Sequence, residues 1–133
     1  KIDKEKVAVS LTNIARYFDI IEKNIDTSKL HDIKEFSTLA MALFQILNSS
    51  KDLGEEIILC KKYKTPSTMK DVFFILGREN FIPRKVSEDL MELVKYRNMI
   101  SHEYGSATEK DLIYVLSKIS SVKEFIKRVK KEL

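Results

Sequence analysis

Arg97, Asn98, His102 and Tyr104 fall within one short run, Arg97-Asn98-Met99-Ile100-Ser101-His102-Glu103-Tyr104-Gly105, and among their side chains are a cation that could face a phosphate and an imidazole that titrates near neutrality. A guanidinium presents a fixed fork of donors that matches phosphate oxygens. An imidazole titrates near pH ~6.5 and so moves protons in either direction near neutrality. Asn98 and His102 are an i,i+4 pair, which lets the amide hydrogen-bond the imidazole and set its tautomer or orientation. The plainer readings stand beside these. A histidine near a helix end serves as a surface or capping residue, and a tyrosine such as Tyr104 seals a core or an interface with its ring.

The elements that must position this run come from a chain of 133 residues, enough for one ordinary hydrophobic core and too few for two, so a single domain spanning 1–133 is expected. With 44% hydrophobic and 33% charged residues it is neither a disordered tail nor a membrane protein. No apolar run approaches the ~20 residues of a spanning helix. No basic-then-apolar leader is evident, and the cytoplasm is the expected location. Cys60 has no second cysteine to pair with, and His31 and His102 add no zinc-ligand spacing, so no metal is expected. Three glycines and two prolines argue against the many turns of a β fold and leave no glycine-rich phosphate loop; no cofactor is expected.

Apolar spacing predicts helices throughout. Val7, Leu11, Ile14, Phe18, Ile21 and Ile25 step by four and three residues, the repeat of an amphipathic helix. After Asp26-Thr27-Ser28, the series Ile33, Phe36, Ala40, Leu43 and Leu47 continues less cleanly through Leu53, Ile57 and Cys60, one long helix with a bend expected between Asn48 and Gly54. Thr65-Pro66-Ser67-Thr68 is a turn rich in hydroxyl caps, followed by a short helix over Met69, Val72, Phe73 and Leu76 that stops near Gly77. Pro83 opens a fourth helix as its first residue, with Val86, Leu90, Leu93 and Ile100 as its buried stripe and Tyr104-Gly105 at its close. Thr108 and Asp111 have the spacing of a capping box for a last, unbroken helix carrying Leu112, Val115, Ile119, Val122, Ile126, Val129 and Leu133. The fold class expected is all-α, an up-and-down bundle of four long helices plus one short one.

Against that pattern Arg97 is out of place. At ~100° per residue it falls in the middle of the face that carries Val86, Leu90, Leu93, Ile100 and Tyr104, where a guanidinium is costly to desolvate without a partner. It is either half of an ion pair, with Asp52, Glu55 or Glu56, or a phosphate-facing cation in a cleft. His102 is rotated by ~140° from it on an ideal helix. The two converge on one ligand only if the helix distorts or a second subunit completes the site. The net charge of +4 equals the excess of the segment from Lys118 to Leu133, with six basic and two acidic side chains. That end is either a solvated helix terminus that complements the macrodipole or a landing surface for a polyanion such as RNA.

The run from Arg97 to Gly105 resembles the signature of the HEPN superfamily: an arginine, a polar residue, and a histidine after a four-residue gap. The tyrosine two places on, with Tyr96 before and Gly105 after, is similar to the HepT family of toxins, encoded beside a minimal nucleotidyltransferase (MNT) antitoxin. The resemblance covers nearly the whole chain in helix order and length. It implies a HEPN bundle that forms a homodimer with its motif helices at a two-fold axis, so that Arg97 of one subunit and His102 of the other share a cleft. It implies metal-independent RNA cleavage by attack of the 2′-hydroxyl on phosphorus. Arg97 and His102 would be catalytic, Asn98 would orient, Tyr104 would line the cleft, and Asp52 is the candidate by which the second helix completes the site. It also implies that the MNT partner silences the toxin by attaching AMP to Tyr104. Two alternatives remain: a non-catalytic HEPN module that binds nucleotide or RNA or holds a nucleotidyltransferase, and a purely structural dimerisation bundle.

Overall fold

The computed structural model describes residues 1–101 and 106–133, and among them every regular element is helical. Helix α1 (Lys4–Asn24) leads through a 3₁₀ turn at Thr27–Lys29 into α2 (Ile33–Lys61); α3 (Met69–Arg78), α4 (Arg84–Ile100), α5 (Glu109–Lys118) and α6 (Ser120–Lys130) follow. The starts are written in side chains that take up orphan backbone donors. Asp3, Asp32 and Thr68 accept from the N–H groups of Lys6, Lys34 and Asp71, and Thr108 and Asp111 close the reciprocal capping box expected of them. Pro83 sits one place earlier than expected: with ψ 150° it is the residue outside the helix, and Arg84 is the first inside.

Helix α2 lies at the centre and packs on each of the other five. Its Leu39, Leu43, Ile46, Leu53 and Ile57 are fully buried, which removes most of its circumference from water and makes it the hydrophobic axis of the bundle. It runs without interruption past the polar stretch from Asn48 to Asp52. Gly54 serves packing there. A Cβ at that position would overlap the Val72 side chain, so the glycine is what lets α3 close on α2. Gly77 plays the same part between α3 and α4, where an added Cβ would overlap Ser87, whose hydroxyl donates to the Phe73 carbonyl at 2.8 Å.

The last helix is not unbroken. It is interrupted at Ile119, whose N–H reaches back only three residues, to the Leu116 carbonyl. Serine hydroxyls compete for groups on both sides of the break: Ser117 donates to the Tyr114 carbonyl, and Ser121 leaves its own helix to donate to Asp89 on α4 at 2.6 Å. The buried stripe is re-phased as a result. Leu112, Val115, Val122, Phe125 and Val129 enter the core, Ile119 and Ile126 are half-buried, and Leu133 is exposed. No described helix is long and apolar enough to cross a membrane.

Candidate functional site

Arg97 occupies the last turn of α4, where helix geometry and the packing of α4 on α2 bring it against a polar position of the central helix. It is half-buried. Its Nε donates to Asn48 Oδ1 at 2.8 Å and its Nη1 to Asn98 Oδ1 at 3.0 Å, while Cζ lies 5.4 Å from the centroid of the Phe44 ring. Phe44 and Asn48 are one turn apart on α2, so a single face of that helix supplies both the ring under the guanidinium and the amide that fixes its rotation. These partners orient the cation and leave its charge in place.

The three carboxylates weighed as ion-pair partners are engaged elsewhere. Asp52 lies 3.0 Å from Lys51 and Glu55 3.7 Å from the same ammonium, and Glu56 is 3.9 Å from Lys6. The hydrogen bond that Lys51 donates to Asp52, with smaller help from Glu55, holds the Lys51 ammonium above the ordinary lysine range despite its partial burial. Among the described residues no carboxylate forms an ion pair with Arg97. The contribution of α2 to the arginine is therefore Asn48, one turn before Asp52. Sequence reading missed it because Asn48 looked like part of a bend. The available signal was the Phe44, Asn48, Asp52 spacing, which puts a polar pair on one face beside an aromatic ring.

Asn98 is exposed, and its amide oxygen is directed to Arg97, so it works on the arginine side of the motif as well as standing four residues before His102. His102 and Tyr104, and the closing Gly105, lie outside the described residues. The residues that flank them are tied to the end of α4: the Ser101 hydroxyl donates to the Asn98 carbonyl at 2.8 Å, and the Ser106 hydroxyl to the Met99 carbonyl at 3.4 Å. Tyr96, next to Arg97, packs against Tyr114 of α5 with ring centroids 5.3 Å apart. The Tyr114 hydroxyl donates to Glu92 at 2.8 Å, and that bond, with burial second, pushes its phenol up to about 12.

An all-α bundle with a half-buried, amide-held arginine at the end of one helix, followed in sequence by His102 and Tyr104, defines a protein of the HEPN type. More narrowly, the family model described as "Ribonuclease HepT-like" matches residues 9–129, and the chain belongs to the HepT-like family. No curated protein matches it. Among solved structures it is similar to YutE of Bacillus subtilis, described as a cytosolic protein of unknown function, at 20% identity and TM-score 0.86 over 99% of this chain and 91% of that one. A toxin–antitoxin crystal structure with AMP-PNP matches at 18% identity and TM-score 0.87, over 96% and 98%. The tri-AMPylated HEPN toxin of Shewanella oneidensis in complex with MNT antitoxin matches at 20% and 0.76, over 96% and 95%. At these identities the likeness is one of fold.

Proposed function

We propose that this chain, a single HEPN domain over 1–133, is the toxin of a HEPN/MNT pair: a metal-independent endoribonuclease that works in the cytoplasm as a homodimer. One observation carries the reading. Arg97 is held by two neutral amides and an aromatic ring, a setting that aims a full positive charge without cancelling it. In the proposed reaction the RNA 2′-hydroxyl attacks the adjacent phosphorus and the 5′-oxygen leaves, giving a 2′,3′-cyclic phosphate and a 5′-hydroxyl end. His102 takes the proton from the nucleophile or returns one to the leaving oxygen. Arg97 binds the phosphorane oxygens through its forked donors, Asn98 and Asn48 hold that fork, and Asp52 supports the site from one turn further along α2.

The ~140° between Arg97 and His102 on an ideal helix is met by a two-fold axis, across which each arginine faces its partner's histidine. Tyr104 lines the same cleft. AMP attached to it by the MNT partner places an anion where the substrate phosphate would sit, within the attraction of Arg97, and silences the site. Family membership supports this regulation, as does the fold shared with the AMPylated Shewanella oneidensis toxin.

The test is intact-mass spectrometry of the chain expressed with and without its neighbouring nucleotidyltransferase, followed by RNA cleavage in EDTA. Mass increments of AMP on Tyr104 only with the partner, together with cleavage by the unmodified chain that His102→Ala abolishes, are the expected results. No modification, and intact RNA with the unmodified protein, would leave a binding module in place of an enzyme.

A further inference from the structure

A groove of about 340 Å³ runs between α1 and α6, away from the contacts of Arg97. Its floor is apolar, built around Phe18 and Ile126, and its α6 wall carries Lys123, Lys127 and Lys130, all exposed. No carboxylate lines it. The spacing of the three lysines, four and then three residues, stacks them along one side of α6 at axial steps of about 6 and about 4.5 Å.

Five of the six basic residues at this end, all but Lys131, differ in how far the fold commits them. Lys118 is committed to the buried Asp89 at 3.8 Å, and Arg128 to Glu132 at 2.9 Å. Lys123 has a loose contact with the exposed Glu22 at 3.7 Å and lies 4.9 Å from the Phe18 ring centroid. Lys127 and Lys130 form no ion pair among the described residues. Of the charges that face the groove, Lys123 is held by α1 through Glu22 and Phe18, while Lys127 and Lys130 are not used in ion pairs among the described residues.

From this geometry we infer that the α1–α6 groove is a second contact surface for RNA, in which Lys123, Lys127 and Lys130 track the phosphodiester backbone and the Phe18 edge of the floor offers an apolar seat to a base. The inference deepens the ribonuclease reading, since it takes RNA as the ligand. A row of lysines beside an aromatic side chain is the electrostatic and stacking combination by which single strands are held without sequence preference. An anionic membrane is the less suitable partner. Val122, Phe125 and Val129 of α6 are fully buried in the core, and Ile126 is half-buried in the groove floor, so the lysines flank a recess instead of an apolar ridge that enters a bilayer.

The experiment is fluorescence anisotropy of a labelled single-stranded 2′-O-methyl RNA, which binds but lacks the nucleophile for cleavage, titrated with the full chain across a salt series. The variant is K123Q/K127Q/K130Q, whose folding is checked by its melting temperature. Removing three cations that each neutralise one phosphate of a single strand should flatten the slope of log K against log salt by about 2. Arg97→Ala should lower cleavage of ordinary RNA by roughly 10²–10³-fold and leave most of that slope. An unchanged slope in the triple variant overturns the groove, as does wild-type protein that ignores the RNA while binding phosphatidylserine vesicles or an acidic peptide through the same lysines. Binding that depends on the lysines in a chain that cleaves nothing keeps the groove and removes the nuclease reading.

Discussion

Asp89 and Arg97 are two charged residues on α4, and their surroundings differ. Asp89 is buried, and its carboxylate is surrounded by compensation: Lys85 at 2.8 Å, the Ser121 hydroxyl at 2.6 Å and Lys118 at 3.8 Å. Burial pushes its pKa up, but the hydrogen bonds from Lys85 and Ser121 and the charges of Lys85 and Lys118 outweigh that and hold it below the usual carboxylate range. Arg97 has only dipoles for partners among the described residues, two amide oxygens and the face of a ring. The first network neutralises a charge in order to join α4 to the start of α6. The second orients a charge and keeps it. A fold that needs ion pairs for cohesion places them as at Asp89, and in the proposed function the exception at Arg97 is charge kept for a ligand.

The largest effect should come from removing the reserved charge. Arg97→Ala is expected to lower RNA cleavage by roughly 10²–10³-fold, and Arg97→Lys to recover little, because an ammonium lacks the fork. Both should melt close to wild type. A variant that melts far lower yet still cuts RNA would put Arg97 in the same class as Asp89 and break the contrast.

Asn48→Asp sharpens the comparison by turning the arginine's dipole partner into a counter-ion. Cleavage should fall by about 10-fold or more as the guanidinium is drawn into an ion pair, while stability stays level or rises by up to ~1 kcal/mol. Asn48→Ala should be milder, with the loss in kcat exceeding that in KM, since the cation is misaligned but not cancelled. Equal activity in both variants would show that Asn48 does not position Arg97.

At the other network the effect is on stability. Asp89→Asn should cost about 1–3 kcal/mol in a denaturant titration at pH 7, with cleavage unchanged. The pH dependence has a definite sign. A carboxylate whose pKa is depressed by folding stabilises above its unfolded value of about 3.9. The gap between wild type and variant should therefore be constant above that value and close as pH falls through the lower, folded pKa. The smallest effect is at Glu92→Gln. Spectrophotometric titration should show the Tyr114 phenol move down from about 12 toward the ordinary ~10, without change in cleavage. A phenol that stays high would assign its shift to burial and not to Glu92.

Much of this molecule was legible in its sequence. Three-four apolar spacing, the hydroxyl-rich turn before Met69, Pro83 and the Thr108–Asp111 box located the starts of α2 to α5 to within a residue or two, because caps and stripes are made by residues that are neighbours along the chain. The same locality made Arg97 conspicuous as a cation on an apolar face. The interruption at Ile119 was less legible, since the apolar repeat runs straight through it and the serine that leaves the helix does so for an aspartate on α4.

What the sequence by itself determined is the all-α class, the position of Arg97 and Asn98 in the last turn of the fourth helix and the likeness to the HepT-like family. What only the tertiary structure decided is who holds Arg97. Asp52, Glu55 and Glu56 were as close along the chain as Asn48, and as carboxylates they were the stronger electrostatic candidates. The choice fell to Asn48 because hydrogen bonding requires atoms within about 3 Å at a workable angle, and the register in which α4 packs on α2 grants that to one side chain per turn.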